Sequence, residues 1–163
     1  NRLDRDTTGL TIVAKHALAG GILGNAVAKR AIHRTYYAVC SGCTPACMRI
    51  SAPIARKDAS TIERCVDFKR GENAVTDFIR IKYNPDNNLS LVKLRLLTGR
   101  THQIRVHMKY IGFPLIGDFL YNPDYTYISR QALHSGRLVF THPVTGQKMN
   151  LISDIPSDMK SLF

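Results

Sequence analysis

The chain reads as an α+β domain organised around a largely antiparallel sheet. Short runs rich in β-branched and aromatic residues outnumber the stretches with helical spacing. Strand and helix signals do not alternate regularly, as they must in a parallel βαβ sheet. At 163 residues the chain can bury one real core, whereas two domains would both be undersized. No repeat, low-complexity tract or Ser/Gly linker divides it, so residues 1–163 are taken as one domain.

A Thr7-Thr8-Gly9 turn leads into an apolar run, expected as a short strand at 10–15. Residues 17–30 read as a helix, weakened by Gly20, Gly21 and Gly24 at up to ~1 kcal/mol each. His33–Ser41 is β-branched and aromatic and ends at Gly42, which marks a strand; residues 61–68 read likewise. Over 74–83, Val75, Ile79, Ile81 and Tyr83 fall on one face and Thr76, Arg80 and Lys82 on the other, with Asp77 and Phe78 interrupting. A Pro85-Asp86-Asn87-Asn88 turn then returns the chain along a strand at 89–97, an antiparallel hairpin. Ile104, Met108 and Ile111 recur at helical spacing, so 101–111 is a helix stopped by Gly112-Phe113-Pro114. Residues 133–142 are strand-like before Pro143, and 156–162 form a short final helix opened by Pro156.

Lys and Arg number 23 against 12 Asp and Glu, a net charge of +11. So basic a surface favours a polyanion, with binding made salt-dependent by counterion release; nucleic acid is the expected partner. The plainer alternative is a surface whose charge serves solubility alone. Hydrophobic residues make up 44%, which excludes a disordered chain. No apolar run approaches the ~20 residues of a membrane-spanning helix. Asn1-Arg2-Leu3-Asp4 lacks the charged-then-apolar pattern of a secretion signal. A cytoplasmic protein without membrane contact is expected, and the abrupt charged start reads as a fragment of a longer chain.

Cys40, Cys43 and Cys47 resemble a metal-binding knuckle that His33 or Cys65 could complete. Structural zinc sites carry two paired ligand clusters, however, and the second pair is missing. Reduced thiols at a strand end and turn are the preferred reading, with no metal.

Two segments could carry chemistry. Residues 1–10 hold Asp4 and Asp6 among Arg2 and Arg5, closed by Gly9. Alone, this is a solvated turn, a nucleophile loop, or the acid pair of a hydrolase. Residues 97–107 launch a helix bearing Arg100, His102, Gln103, Arg105 and His107, whose start offers free backbone N–H groups to an anion. An amphipathic helix with Ile104 and Met108 inward explains the same pattern. For His102 and His107, structural hydrogen bonding is the plain reading; as metal ligands they are spaced five apart with no obvious third.

The segments Arg2-Leu3-Asp4-Arg5-Asp6-Thr7-Thr8-Gly9 and Thr98-Gly99-Arg100-Thr101-His102-Gln103-Ile104-Arg105-Val106-His107 resemble the two signature blocks of the RluA-type RNA pseudouridine synthase family. Shorter blocks at 34–39, 112–118, 130–134 and 140–143 extend the likeness over nearly the whole chain. The resemblance implies the pseudouridine synthase fold, a mixed and mainly antiparallel sheet flanked by helices. It implies isomerisation of uridine to pseudouridine in structured RNA, ribosomal foremost and transfer RNA second, with no cofactor or metal required; the oligomeric state is left open, a monomer being favoured. Asp4 matches the essential carboxylate that adds to the uridine, and Arg105 the Arg paired with it. Tyr36 matches the aromatic residue beside the base, assigned to the C5 proton. Arg2 matches the Arg that occupies the space of the everted base, and Ile104 an aliphatic wall of the base pocket. Arg100, His102 and Gln103 join them as substrate-binding residues, while Arg5, Lys15, Lys29, Arg30 and Lys109 are candidates to grip phosphates.

The sequence departs from the family at Asn1 (often His), Thr8 (often Ser) and Glu72 (commonly Lys), and in lacking strands that members carry before the Asp loop. Two rivals stand: a non-catalytic RNA-binding module on the same fold, and a metal-dependent hydrolase using Asp4, Asp6 and the His residues. The synthase reading requires Asp4 to meet Arg105 inside a basic cleft.

Overall fold

The computed structural model describes residues 3–163. In chain order its elements are β1 (Thr8–Gly9), α1 (Ala17–Ala28), β2 (His33–Ser41), β3 (Cys47–Ser51), β4 (Ile54–Arg56) and β5 (Arg64–Val66). There follow β6 (Val75–Asn84), β7 (Leu89–Leu96), α2 (Gln103–Tyr110), β8 (Leu133–Thr141), β9 (Lys148–Ile152) and α3 (Ser157–Lys160). The main sheet runs β1-β8-β2-β7-β6-β3, with β9 also on β8; β4 and β5 form a separate ribbon. Among the described residues only the two-residue β1–β8 pairing is parallel, so the α+β, mainly antiparallel expectation holds.

β2 lies inside the sheet, between β7 and β8, and both of its faces are covered. Tyr36, Ala38 and Cys40 join Phe78, Val92 and Leu94 in one core with Ile104 and Met108 of α2. Val39, on the opposite face, joins Leu89, Ile116 and Met159 of α3 in a second. Period-two alternation sends successive residues to opposite faces, so a strand buried on both sides reads as a nearly unbroken apolar run.

Several elements differ from expectation. Residues 10–15 form no strand: Leu10 and Ile12 pack toward Leu23, Leu138 and Phe140, yet the segment finds no ladder partner among the described residues. Backbone groups without a partner strand do not make a sheet, whatever the side-chain pattern. Pairing occurs two residues earlier, where Gly9 (φ 102°) lies so close to Ser135 that any Cβ would strike its carbonyl. β5 is shorter than 61–68, and α3 than 156–162. β3, β4 and β9 were not foreseen. β3 and β4 are short and broken apart by Pro53, while β9 is a five-residue strand on β8, whose only cue was the Thr145-Gly146 turn.

In β6 the buried row is Thr76 and Phe78, while the more apolar Ile79 and Ile81 stay half-exposed. Thr76 is tolerated inside because its hydroxyl is hydrogen-bonded by α2. A register shift between Arg80 and Lys82 then breaks the alternation.

Candidate active site

The loop before β1 and the start of α2 meet at one cavity of about 400 Å³. Asp4, Tyr36, Arg100, His102, Gln103, Ile104 and Arg105 all line it. Arg2 lies outside the described residues.

Asp4 sits in a tight turn closed by a 3.1 Å bond from the Thr7 N–H to its carbonyl. The turn is tied to β8 and the segment before it: the Thr8 hydroxyl shares a 2.9 Å bond with His134 Nδ1, and the Gln131 amide donates to the Thr7 hydroxyl. A short polar loop is thereby held like a piece of the sheet.

Arg105 Nη1 donates to Asp4 Oδ2 at 3.2 Å, joining residues 101 positions apart. The expectation that carboxylate and guanidinium meet is fulfilled. Arg105 also makes a bidentate pair with Asp118, Nε to Oδ2 and Nη2 to Oδ1, both 2.8 Å. These side chains are 1% and 0% exposed, whereas Asp4 keeps 26%. Asp118 accepts the Leu120 and Tyr121 N–H groups as well, and the Phe119 and Tyr121 rings lie 5.3 and 5.0 Å from the guanidinium carbon. Burial works against the Arg105 charge, but the hydrogen bonds and field of Asp118, with Asp4 adding, hold its pKa above the ordinary value. Asp118 was the residue sequence reasoning missed. Its signal was present in the Gly117-Asp118 end of a family-like block, but nothing local told what the carboxylate would touch.

Burial pushes the Tyr36 hydroxyl up; Arg34 opposes and Asp4 adds to the rise. It is a phenol, not a phenolate, at neutral pH. Gln103 lines the cavity, yet its amide is fully engaged with protein. Oε1 accepts from the Thr98 hydroxyl and the Arg100 N–H, and Nε2 donates to the Val75 carbonyl and Thr76 hydroxyl. His107 continues this chain through Thr76 and the Ala52 carbonyl. Both residues brace α2 against β6 and so aim Arg105.

Arg100 stands at the rim, ion-paired to Glu72 and donating to the Asn73 carbonyl at 3.2 Å. Glu72, one of the departures from the family pattern, thus neutralises a cation of the cavity. Asp6 is not among the lining residues and pairs with Arg5 at 3.5 Å. Among the described residues, no group of three or more His, Cys, Asp or Glu gathers where a metal ion could be held. Among the same residues no helix is long and apolar enough to cross a membrane.

This sheet, with a carboxylate loop facing a buried Arg across one cavity, places the chain in a known class: it belongs to the RNA pseudouridylate synthase family, whose family model matches residues 1–110. Among curated relatives, the Bacillus subtilis protein named uncharacterized RNA pseudouridine synthase YjbO is 47% identical over 99% of this chain and 56% of its own. Ribosomal large subunit pseudouridine synthase D of Zymomonas mobilis is 38% identical, over 100% and 54%. The chain thus spans a little over half the length of these relatives. The solved structure of human RNA pseudouridylate synthase domain containing 1 superposes with a TM-score of 0.82 at 26% identity, covering 94% of this chain and 67% of that one. The expected pseudouridine synthase fold is therefore the fold observed.

Proposed function

We propose that the protein isomerises uridine to pseudouridine in structured RNA, with Asp4 as nucleophile. The observation that carries this reading is the Asp4–Arg105 pair at the cavity. Isomerisation breaks the N1–C1′ bond and forms a C5–C1′ bond; one proton leaves C5 and one arrives at N1, with no net oxidation. A carboxylate that adds to the nucleoside divides this exchange into easier steps, provided it is ionised when the base arrives. Arg105 holds the carboxylate by a hydrogen bond, and because Asp118 already fixes the guanidinium, it need not reorganise during reaction. Tyr36 starts protonated, so in this scheme the proton it gives up as it takes the C5 proton is the one that arrives at N1.

A cavity of about 400 Å³ suits a single everted nucleotide, the form in which enzymes reach a base for chemistry. Beside it, sharing Arg34, Leu96, Gly99 and Arg100, lies a second cavity of about 530 Å³ bordered by Arg30, His33 and Arg95. No acidic residue lines it, which supports a path for the flanking phosphates. The net charge of +11 agrees with an RNA partner. Ribosomal RNA is the proposed substrate because relatives named ribosomal large subunit pseudouridine synthase D align over essentially the entire chain.

The test is pseudouridine mapping of total RNA from cells with and without the gene. Deletion should erase a defined site, restored by wild type and not by Asp4→Asn, whose product still binds RNA. Restoration by Asp4→Asn would instead identify a non-catalytic RNA-binding module.

A further inference from the structure

Tyr121, at the far side of Arg105, sits between the backbone of β5 and the first residue of the α2 cap. Its hydroxyl accepts the Arg64 N–H at 2.9 Å and lies 2.9 Å from His102 Nδ1. The residue is buried, and among the described residues the hydroxyl has no other hydrogen-bond partner. A phenol has a single proton to give. If His102 Nδ1 carried a hydrogen, the Tyr121 oxygen would face two donors and its own O–H would be stranded inside the protein, which is unfavourable. The arrangement that satisfies every group runs one way: Arg64 N–H to Tyr121 oxygen, Tyr121 O–H to His102 Nδ1. His102 is then neutral, with its hydrogen on Nε2.

The surroundings favour the same state. Burial pushes the Tyr121 hydroxyl up to about 12, so it remains a donor. Burial first, then Arg105, holds the His102 pKa below the ordinary imidazole value; Arg64 pushes the same way, and Asp4 and Asp118 pull against it. The Lys109 ammonium lies 5.6 Å from the Tyr121 ring centre. An edge-on contact with that ring, 5.8 Å between centroids at 80°, sets the imidazole plane. His102 takes the left-handed conformation (φ 56°), lines the cavity with Asp4 and Arg105, and its Nε2 has no protein partner among the described residues.

We propose, on the reading that this cavity takes an everted uridine, that His102 presents its Nε2–H to an acceptor oxygen of that nucleotide. Tyr121 and the Arg64 backbone are the positioning groups that hold the tautomer. His102 is thus a substrate-contact residue, and the His–Tyr pair is part of the site rather than packing beside it.

The experiment has a spectroscopic arm and a kinetic arm, both on the intact protein. Nitrogen-15 NMR of the imidazole should show a bare Nδ1 and a protonated Nε2; the opposite tautomer overturns the proposal. Release of the C5 hydrogen from tritiated uridine in the RNA substrate then reads activity. His102→Gly, which keeps the left-handed backbone unstrained, should lower kcat/KM roughly tenfold to a hundredfold, the loss expected for one hydrogen bond in a desolvated site. Tyr121→Phe should lower it less and weaken the preference for the Nε2 hydrogen in the nitrogen-15 spectrum, because Nδ1 loses its donor. Wild-type kinetics in His102→Gly would sink the contact while leaving the synthase reading intact. An inactive wild type would sink the synthase reading, and the nucleotide contact with it.

Discussion

Two arginines five positions apart on the same cavity lead different lives. Arg105 and its partner Asp118 are almost wholly removed from solvent, joined by two 2.8 Å bonds. Arg100 and its partner Glu72 keep 37% and 70% of their side-chain surface. The first pair is a fixture. Breaking it strands a charge in the interior, so Arg105 has one place to be and holds Asp4 from it. The second pair is exchangeable: an exposed ion pair contributes ~0–1 kcal/mol, little enough for an RNA phosphate to replace the carboxylate. Residues of one chemistry are thus fixed at the cavity floor and exchangeable at its rim, with burial deciding which.

The contrast can be broken at its rigid end first. Asp118→Asn should destabilise the protein by ~3–5 kcal/mol, the penalty for removing one member of a buried pair, as read by urea unfolding. It should also reduce activity toward that of Asp4→Asn, because the guanidinium loses its anchor. A loss under ~1 kcal/mol would mean that Arg105 is held by other contacts.

An intermediate effect concerns His107, which braces α2. Burial depresses its pKa, opposed in part by its bond to the Ala52 carbonyl. The sign follows: below the free value of ~6.5 the unfolded chain takes a proton that the folded one refuses. The His107 contribution is therefore fully present above pH ~6.5 and lost as pH falls through the folded pKa. The slope approaches ~1.4 kcal/mol per pH unit for one proton. Unfolding curves between pH 5 and 7.5 should show this decline, shallower in His107→Gln; an unchanged slope in that variant would assign the effect to His102 or His134, whose pKa values burial also lowers.

The smallest effect lies at the rim. Glu72→Gln releases Arg100 and should tighten RNA binding roughly two- to fivefold, within the ~1 kcal/mol scale of exposed pairs. The salt dependence should steepen by about one phosphate contact. Equal affinity and slope would show that Arg100 meets no phosphate.

Much of this site could be read from residues in a row. The Asp4 loop and the 98–107 segment each carried a recognisable pattern; β2 announced itself through composition, β7 through the turn before it and α2 through periodicity. The failures share a cause. Residues 10–15 had the composition of a strand and no neighbour to pair with. Thr76 and Phe78 took the buried face of β6 from Ile79 and Ile81 because α2 supplied hydrogen bonds there. Gln103 resembled a substrate contact, yet its polar atoms are engaged by Val75, Thr76, Thr98 and Arg100.

What the order of amino acids determined alone was the alphabet of this protein: its basic charge, most of its strands and helices, and the identity of the carboxylate and guanidinium at its centre. Charge, strands and helices are local properties, set by composition and by the two- and 3.6-residue periods of the backbone, whereas the carboxylate and guanidinium were singled out by the family resemblance. Only the tertiary structure decided that Asp118 is the anchor of Arg105, that Glu72 covers Arg100, and that Tyr121 dictates the tautomer of His102. Each of those depends on distance between residues remote in the chain and on exclusion of water, and neither quantity is written in any short stretch of sequence.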